Sequence, residues 1–301
     1  MKETRFKDPA IDRKKEIIKS SLSIHDAFVM PSQVEVSESG ICNRACVFCP
    51  KSDPNYPNDP IFIETELIEQ VSSELGNLGY SGIFVFSGFC EPLLDKNIFN
   101  LIQVTRKNLP MAKIELVTNG DVLNSNRLPM LIDAGLSTLI ISAYDGEHQL
   151  EQFREMADRA EIDQEKLLIR PRYLGPDQDF GITLNNRAGS MDNAKFPIKK
   201  LTEPLKESCN YPFYALFIDY NGDVLLCPHD WRKMLVVGSL LKDSLVDIWT
   251  SNMMNKVREA LNDEDRGFAP CNSCDVSGLI MGSEQRQEWG AVRQNRTSHD
   301  S

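Results

Sequence analysis

The 301-residue chain has no apolar run long enough for a membrane-spanning helix, which needs about 18 apolar residues. Its first residues, MKETRFKDPAIDRKK, are charged and lack the apolar centre of a secretory signal peptide. We therefore expect a cytoplasmic protein with no membrane partner. Disulfides are a poor explanation for its eight cysteines, because the cytosol keeps thiols reduced. Clustered cytosolic cysteines predict metal ligands or catalytic thiols instead.

The sequence also lacks an excess of basic residues. Its 33 Lys and Arg residues against 44 Asp and Glu residues give a net charge of −11. Nucleic acid binding normally needs a basic surface, so we expect no nucleic-acid partner and favour a small-molecule substrate. A hydrophobic content of 41% and a charged content of 26% are typical of a globular domain that buries its core without disulfides.

Five short apolar segments, separated by helical patterns, lie in order between residues 33 and 175. One helical pattern, ETELIEQVSSELGNLG (64–79), repeats apolar residues at spacings of three and four. Strands that alternate with helices of about ten to fifteen residues form βαβ units, so the pattern predicts an α/β fold with a parallel sheet. The predicted strands are QVEVSES (33–39), GIFVFSG (82–88), AKIELVTNG (112–120), STLIISAYDG (137–146) and KLLIRPRYLG (166–175).

Three cysteines, Cys42, Cys46 and Cys49, lie just after the first predicted strand. Thiolates at this C-x3-C-x2-C spacing can face one point, and their softness selects zinc, copper(I) or iron–sulfur. A structural zinc site uses four ligands, usually as two separated pairs. Three thiolates leave one coordination position unfilled by protein, and a cubane cluster held by three cysteines offers one iron to an outside ligand. A zinc loop with a remote fourth ligand is the alternative.

The motif resembles that of the radical S-adenosylmethionine (SAM) superfamily, in which C-x3-C-x2-C holds a [4Fe-4S] cluster and SAM fills the open site. The resemblance covers residues 33–175 and implies a partial (β/α)6 TIM-like barrel with its site at the carboxyl ends of the strands. It implies that Phe48 packs over the cluster. It also implies a 5′-deoxyadenosyl radical, formed from SAM with an electron from a flavodoxin- or ferredoxin-type donor.

The ends of the later strands carry further matches to the superfamily. The stretch SGFCEPLLD (87–95) resembles its G-G-E-P turn and puts Glu91 on the side of the SAM ammonium, although Cys90 replaces the usual glycine. Arg170 and Arg172 share one face of the fifth strand, where either could bind the SAM carboxylate or be surface charge. The residues implied for SAM binding are Phe48, Gly88, Glu91, Asn119, Ser142, Arg170 and Arg172.

The pattern changes on both sides of this core. We expect residues 1–32 to be a lead-in segment and residues 176–208, with scattered Pro, Gly and Asn, to be a linker or the last barrel element. Residues 209–280 contain ALFIDYNGDVLLC, a hairpin pattern with Asn-Gly as its turn, and predict a small α/β domain. Residues 281–301 are polar and are expected to form a loosely ordered tail.

Four cysteines form a second group in this C-terminal region: Cys209, Cys227, Cys271 and Cys274. Four thiolates complete a closed iron–sulfur cluster or a structural zinc site. Their spacing resembles SPASM, the auxiliary-cluster domain of radical SAM proteins, in its shortened twitch form, because no cysteine follows Cys274. The spacing is close to that of the twitch dehydrogenases of aminoglycoside biosynthesis. The resemblance implies a second [4Fe-4S] cluster.

With two clusters, the resemblance implies oxidation of an alcohol in a small polyol or aminosugar, with the auxiliary cluster as electron acceptor. Asp219, Tyr220 and His229, in or near the hairpin, are candidate substrate contacts. Cys90 lies outside both cysteine groups, so it is either a hydrogen donor in an epimerase or a small buried hydrophobe. A peptide-modifying maturase and an iron–sulfur electron carrier are further alternatives.

Overall fold

The computed structural model describes residues 9–25, 28–173, 184–191, 198 and 200–299. Within these ranges the chain folds around one eight-stranded sheet, accompanied by a short two-stranded ribbon. The strands are β1 Ile24–His25, β2 Phe28–Val29, β3 Gln33–Ser37, β4 Ile83–Phe86, β5 Lys113–Thr118, β6 Thr138–Ala143, β7 Leu167–Pro171, β8 Ala215–Asp219, β9 Asp223–Leu225 and β10 Val236–Ser239.

The helices follow the predicted alternation with the strands. Helix α2 buries Leu67, Ile68, Val71 and Leu75 along one face, as its apolar spacing predicts. No helix in the described part of the chain is long and apolar enough to cross a membrane. The α-helices are α1 Pro9–Ser20, α2 Thr65–Asn77, α3 Ile98–Asn108, α4 Arg127–Asp133, α5 Glu147–Arg159, α6 Tyr211–Tyr214, α7 Leu245–Trp249, α8 Asn252–Asn262 and α9 Ser283–His299.

The large sheet has the strand order β10-β9-β8-β3-β4-β5-β6-β7. The pairs from β8 through β3 to β7 are parallel, whereas β8, β9 and β10 are joined antiparallel. Strands β4 and β6 are buried along their whole length, as expected for a parallel sheet covered on both faces. The predicted α/β class with a partial barrel of parallel strands is confirmed.

The sixth parallel strand lies outside the segment that the sequence predicts for it. Part of residues 176–208 falls outside the described residues. The strand that completes the parallel set is β8, the first strand of the C-terminal hairpin, which pairs with β3 so that Leu216 lies opposite Val34. The small C-terminal unit therefore extends the sheet of the barrel. The sequence pattern misses this pairing because parallel partners are joined by long crossovers rather than by a local turn.

The last segment is a helix, whereas the sequence predicts a loosely ordered tail for residues 281–301. Gln285 of α9 is fully buried, and its Nε2 donates a hydrogen bond to the Ile18 carbonyl oxygen at 2.6 Å. Trp289 Nε1 donates to the Phe213 carbonyl oxygen at 3.2 Å. Side-chain hydrogen bonds such as these hold α9 in place, and its sequence has no apolar face at helical spacing. The prediction of a loosely ordered tail was wrong for this reason.

The predicted lead-in segment contains helix α1 and the β1–β2 ribbon. Ile18 of α1 is buried against Ile83 and Tyr214. Arg13 of the same helix forms an ion pair with Glu115 of β5 and donates to Thr138 Oγ1 of β6 at 2.9 Å. Helix α1 is therefore part of the packed domain.

Candidate active site

The three cysteines of the first motif, Cys42, Cys46 and Cys49, lie in the loop after β3 and line one cavity of about 140 Å³. Residues that follow β4, β5 and β6 line the same cavity, because the carboxyl ends of parallel strands meet at one end of a sheet. The structure therefore brings the cysteine motif together with most of the residues predicted to bind SAM. Those residues are Phe48, Gly88, Glu91 and Asn119.

Asn58 holds the main chain of Cys42 on both sides. The Cys42 amide donates to Asn58 Oδ1 at 2.9 Å, and Asn58 Nδ2 donates to the Cys42 carbonyl oxygen at 3.1 Å. Lys51 Nζ donates to the same Oδ1 at 2.8 Å and to the Gly40 carbonyl oxygen at 2.8 Å. The loop after the motif therefore folds back and fixes its first cysteine, an arrangement that the sequence analysis missed.

Arg44, between the first two cysteines, ties the cysteine loop to the ends of β5 and β6. Its guanidinium donates to Asp121 through Nε at 2.7 Å and to Asp145 through Nη1 at 2.7 Å. The guanidinium carbon also lies 5.5 Å from the ring centroid of Tyr144. The hydrogen bond from Arg44 lowers the pKa of Asp145. The sequence analysis did not identify Arg44, Asp121 or Asp145 as site residues. The one sequence feature that pointed to them was a charged side chain between two cysteines of the motif.

The predicted Glu91 is buried, and its carboxylate accepts hydrogen bonds from three protein groups. Oε1 accepts from Leu93 N at 3.0 Å and from Thr118 Oγ1 at 2.6 Å, and Oε2 accepts from Asn119 N at 2.7 Å. Asn119 Nδ2 in turn donates to Asn43 Oδ1 at 2.8 Å. Glu91 therefore positions the turns after β4 and β5 beside the cysteine loop. Its place beside the SAM ammonium stays a prediction.

The donor set of the first motif fits an iron–sulfur cluster. Burial raises the pKa of Cys46 to about 12, and the charges of Cys49 and Cys42 add to the rise. Thiolates that repel each other in a buried place are stabilised when a cationic iron centre binds them. No three His, Cys, Asp or Glu side chains in the described ranges close around a single metal ion. A cubane cluster instead binds each thiolate through a separate iron.

Cys90 lines the same cavity, at the position where the superfamily usually has glycine. The left-handed backbone of this turn falls at Gly88, with φ of 100°, and not at Cys90. The Cys90 thiol donates to Glu38 Oε2 at 3.1 Å. Glu38 is fully buried, and burial raises its pKa to about 8. Burial likewise raises the pKa of Cys90, so a neutral thiol and a neutral carboxyl form the pair at pH 7.

A second cavity of about 500 Å³ adjoins the first. The predicted Arg170 and Arg172 line it, and Arg170 Nη2 donates to Oγ of the buried Ser142 at 2.9 Å. The two cavities share three residues, so a molecule in the second cavity lies next to the SAM-side residues of the first. The shared residues are Phe48, Tyr144 and Arg187.

Arg187, which the sequence analysis missed, is held between the cavities by an unusual backbone. The Asn186 amide donates to both carboxylate oxygens of Asp275, at 2.9 and 3.0 Å, and Asn186 Nδ2 donates to the Ser273 carbonyl oxygen at 2.7 Å. Arg187 follows in the left-handed region, with φ of 48°. Its Nε is buried, and no described residue accepts a hydrogen bond from it.

The lining of the second cavity includes residues within two positions of three C-terminal cysteines, Cys209, Cys227 and Cys274. Burial raises the pKa of Cys227, and repulsion from Cys271, Cys274 and Cys209 adds to the rise. Gly278, with φ of 72°, passes so close to Cys209 that a Cβ there would clash with Sγ. Four cysteines whose thiolates repel each other beside a closely packed backbone fit the predicted auxiliary cluster.

The three residues predicted to contact substrate line two different cavities. His229 lines the second cavity, where its Nε2 lies 3.2 Å from Tyr211 Oη, and burial lowers its pKa to about 3. Asp219 and Tyr220 instead line a third cavity, of about 460 Å³, where Lys233 pairs with Asp219. The second and third cavities share no lining residue. Only His229 therefore joins the predicted SAM residues Arg170 and Arg172.

Two protein families match the chain. The radical SAM superfamily matches residues 36–165, and the SPASM iron–sulfur cluster-binding domain matches residues 209–275. The S-adenosyl-L-methionine-dependent 2-deoxy-scyllo-inosamine dehydrogenase of Niallia circulans is 30% identical over 250 residues, which are 81% of this chain and 92% of that protein. The dehydrogenase relative confirms the predicted oxidoreductase class.

Solved structures share the fold. The crystal structure of BtrN in complex with AdoMet and 2-DOIA matches with a TM-score of 0.69 and 26% identity, over 84% of this chain and 96% of that chain. Native anSMEcpe with bound AdoMet and Cp18Cys peptide matches with a TM-score of 0.52 and 12% identity, over 90% of this chain and 100% of that chain. At 12% identity the second likeness shows the fold alone.

These findings confirm the predicted cofactors, which are [4Fe-4S] clusters and SAM. They agree with the two groups of half-buried or buried cysteines, one of which lines a cavity at the carboxyl ends of the parallel strands. This chain belongs to the radical SAM superfamily and carries a C-terminal SPASM-type iron–sulfur domain.

Proposed function

We propose that the protein oxidises a secondary alcohol of a small polyol- or aminosugar-type substrate to a ketone. The second cavity carries the proposal, because it reaches from Phe48 and Tyr144 to His229 and Gly278. The first two residues adjoin the SAM-side cavity, and the last two are neighbours of the C-terminal cysteines. A volume of about 500 Å³ is in the range of small-molecule sites and suits one sugar-sized ring.

When bound, SAM and the two clusters supply the radical that removes a hydrogen atom from carbon and an acceptor for one electron. The substrate itself would lose the carbon-bound hydrogen atom, the hydroxyl proton and one electron to become the ketone. A flavodoxin- or ferredoxin-type donor provides the electron that cleaves SAM. The relative's name, which specifies a dehydrogenase of an aminocyclitol, supports this class of substrate.

His229 is the residue that meets the substrate hydroxyl in this proposal. None of the described residues hydrogen-bonds its buried Nδ1, while Nε2 lies near Tyr211 Oη. Because burial keeps the imidazole neutral, one ring nitrogen is able to accept a hydrogen bond from the hydroxyl. Arg187, with its buried Nε, faces the substrate from the SAM side.

The geometry gives less support to an epimerase with Cys90 as hydrogen donor. Cys90 lines the first cavity and is absent from the lining of the second. Its thiol donates a hydrogen bond to Glu38. A donor thiol has to reach the substrate radical, so the arrangement favours oxidation.

The first test counts iron and sulfide per chain after anaerobic reconstitution. It compares the native protein with a variant in which Cys42, Cys46 and Cys49 are all changed to Ala. Two clusters predict about 8 irons in the native protein and about 4 in the variant. A count of about 4 in the native protein and almost none in the variant would show that the auxiliary cluster is absent. The proposed oxidation would then lack its electron acceptor and would be overturned.

The second test follows the hydrogen. Reduced holoenzyme is incubated with SAM and with 2-deoxy-scyllo-inosamine or neutral cyclitols that are deuterated at the carbinol carbons. We expect deuterium in 5′-deoxyadenosine and an equal amount of ketone, and no ketone from a Cys227→Ala variant. A product with inverted configuration and a solvent-derived hydrogen on carbon would establish an epimerase instead. Absence of 5′-deoxyadenosine with every substrate would favour an electron carrier.

A further inference from the structure

Arg266 is a buried cation in the C-terminal unit whose hydrogen bonds go to main-chain carbonyls. Nε donates to Glu207 O at 2.9 Å, and Nη1 donates to Val276 O at 2.7 Å. Nη2 donates to Ser208 O at 2.8 Å and to Ser277 O at 2.6 Å. One side chain therefore crosslinks two segments that are far apart in sequence.

Both crosslinked segments carry cysteines of the auxiliary group. Residues 207 and 208 come directly before Cys209, and residues 276 and 277 come directly after the segment that contains Cys271 and Cys274. The guanidinium thereby fixes the spacing between ligands that the sequence separates by more than sixty residues. This makes Arg266 a positioning residue for the thiols.

The positive charge of Arg266 is only partly compensated. Its side chain is 1% exposed, and the Glu207 carboxylate that pairs with it lies 3.7 Å away on a side chain that is 36% exposed. That distance exceeds hydrogen-bonding range, and solvent screens a carboxylate at the surface. The four carbonyl oxygens accept hydrogen bonds but carry no net charge. A buried positive charge therefore remains beside the cysteines.

This charge lies close to the chain at two of the ligands. The guanidinium donates to the carbonyl oxygen of Ser208, which precedes Cys209, and to that of Val276, two residues after Cys274. A cation that stabilises thiolates also stabilises the additional negative charge that a cluster acquires on reduction.

We propose that Arg266 raises the reduction potential of the auxiliary cluster, so that the cluster accepts the electron released by the substrate. Buried cations and fixed ligand positions are both recognised means by which a protein adjusts such a potential. The inference rests on the proposed function in one respect, namely that the C-terminal cysteines hold the electron-accepting cluster.

The test uses the full chain with Cys42, Cys46 and Cys49 changed to Ala, so that only the auxiliary cluster contributes to the signal. A redox titration followed by electron paramagnetic resonance gives its midpoint potential. We expect Arg266→Gln to shift the reduction equilibrium about tenfold towards the oxidised cluster, which is ~59 mV for one electron. Arg266→Lys keeps the charge and should retain most of the native potential. An unchanged potential in a Gln variant that keeps its iron would overturn the inference.

Arg258 provides a matched control in the same unit. It is also buried and donates to the carbonyl oxygens of Pro212 and Trp249, at 2.8 and 2.9 Å. It is not one of the main charges acting on any of the four thiols. Arg258→Gln should therefore lower the melting temperature without moving the potential, and an equal shift in this control would contradict a specific role for Arg266.

A Glu207→Gln variant keeps the inference testable if Arg266→Gln fails to hold its iron. This change removes the partial counter-charge and leaves Arg266 in place, so the midpoint potential should rise. An unchanged or lower potential would overturn the tuning role. If the chain with Cys42, Cys46 and Cys49 changed to Ala holds no iron, the C-terminal cysteines bind no cluster and the proposed function is contradicted. This outcome differs from an unchanged potential, which contradicts only the role of Arg266.

Discussion

The guanidinium of Arg44 donates two hydrogen bonds to the carboxylate of Asp145, at 2.7 and 2.6 Å. Arg44 lies in the cysteine loop after β3, and Asp145 lies in the loop after β6. The same guanidinium binds Asp121 after β5. The position of the cysteine loop over the sheet therefore depends on an arginine that is not itself a cluster ligand.

Arg44→Met should weaken the first cluster site and leave the auxiliary site intact. The lost hydrogen bonds should lower the free energy of unfolding by about 1–2 kcal/mol, a modest value because the Asp145 side chain is 50% exposed. We expect iron in the first cluster and release of 5′-deoxyadenosine to fall together. Arg159→Met, which breaks an exposed pair with Glu155, is the control and should change neither. Native iron content in the Arg44 variant would contradict the role of the pair.

Glu38→Gln should remove a pH dependence of stability. Burial raises the pKa of Glu38 from 4.5 to about 8, so the folded state binds more protons than the unfolded state between these values. Stability therefore falls as pH rises through this window, with a slope of at most about 1.4 kcal/mol per pH unit. The free energy of unfolding of the Gln variant should therefore increase relative to that of the native protein as pH rises. Denaturant unfolding of the apoprotein at several pH values measures the difference, and parallel pH curves would refute the neutral carboxyl.

The sequence predicted the elements whose signals are local. The spacing of Cys42, Cys46 and Cys49 is a short motif, and the alternation of strands and helices is a periodic pattern, so both identified the fold and the cofactors. The pairing of β8 with β3 left no such signal, because the two strands are about 180 residues apart and are joined by a crossover. For this reason the sequence did not identify β8 as the strand that pairs with β3.

At the site, contacts between side chains that are far apart in sequence could not be predicted. Arg44 meets Asp121 and Asp145 only after three loops have been brought to one end of the sheet. Arg187 lies in a segment that carries no apolar periodicity, and its left-handed backbone is unusual for an arginine. For Asp219, a position in the predicted hairpin did not determine which cavity its side chain lines, and its contact with substrate stays a prediction.

Cys90→Ala should keep oxidation of the substrate within about threefold of the native rate. The thiol lines the first cavity and is paired with Glu38, so it is not required for loss of a proton and an electron in the second cavity. A threefold change in rate corresponds to about 0.7 kcal/mol, which one lost neutral hydrogen bond accounts for. The initial rates of ketone and 5′-deoxyadenosine formation are the measurement. A product lost entirely in this variant would support the cysteine-donor epimerase.

Gly278→Ala should remove the auxiliary cluster, and Gly290→Ala should not. Gly278 has a φ of 72°, which strains any other residue, and a Cβ there would clash with Cys209 Sγ. The clash displaces a ligand, so iron should fall from about 8 to about 4 per chain while SAM cleavage by the first cluster continues.

Gly290 lies in α9 with no heavy atom within 4 Å of an added Cβ, and alanine there should stabilise the helix by about 0.5–1 kcal/mol. Iron analysis and thermal unfolding of the two variants, side by side, distinguish a blocked ligand from a general effect of replacing glycine. Full iron content in Gly278→Ala would show that Cys209 is not held against this backbone.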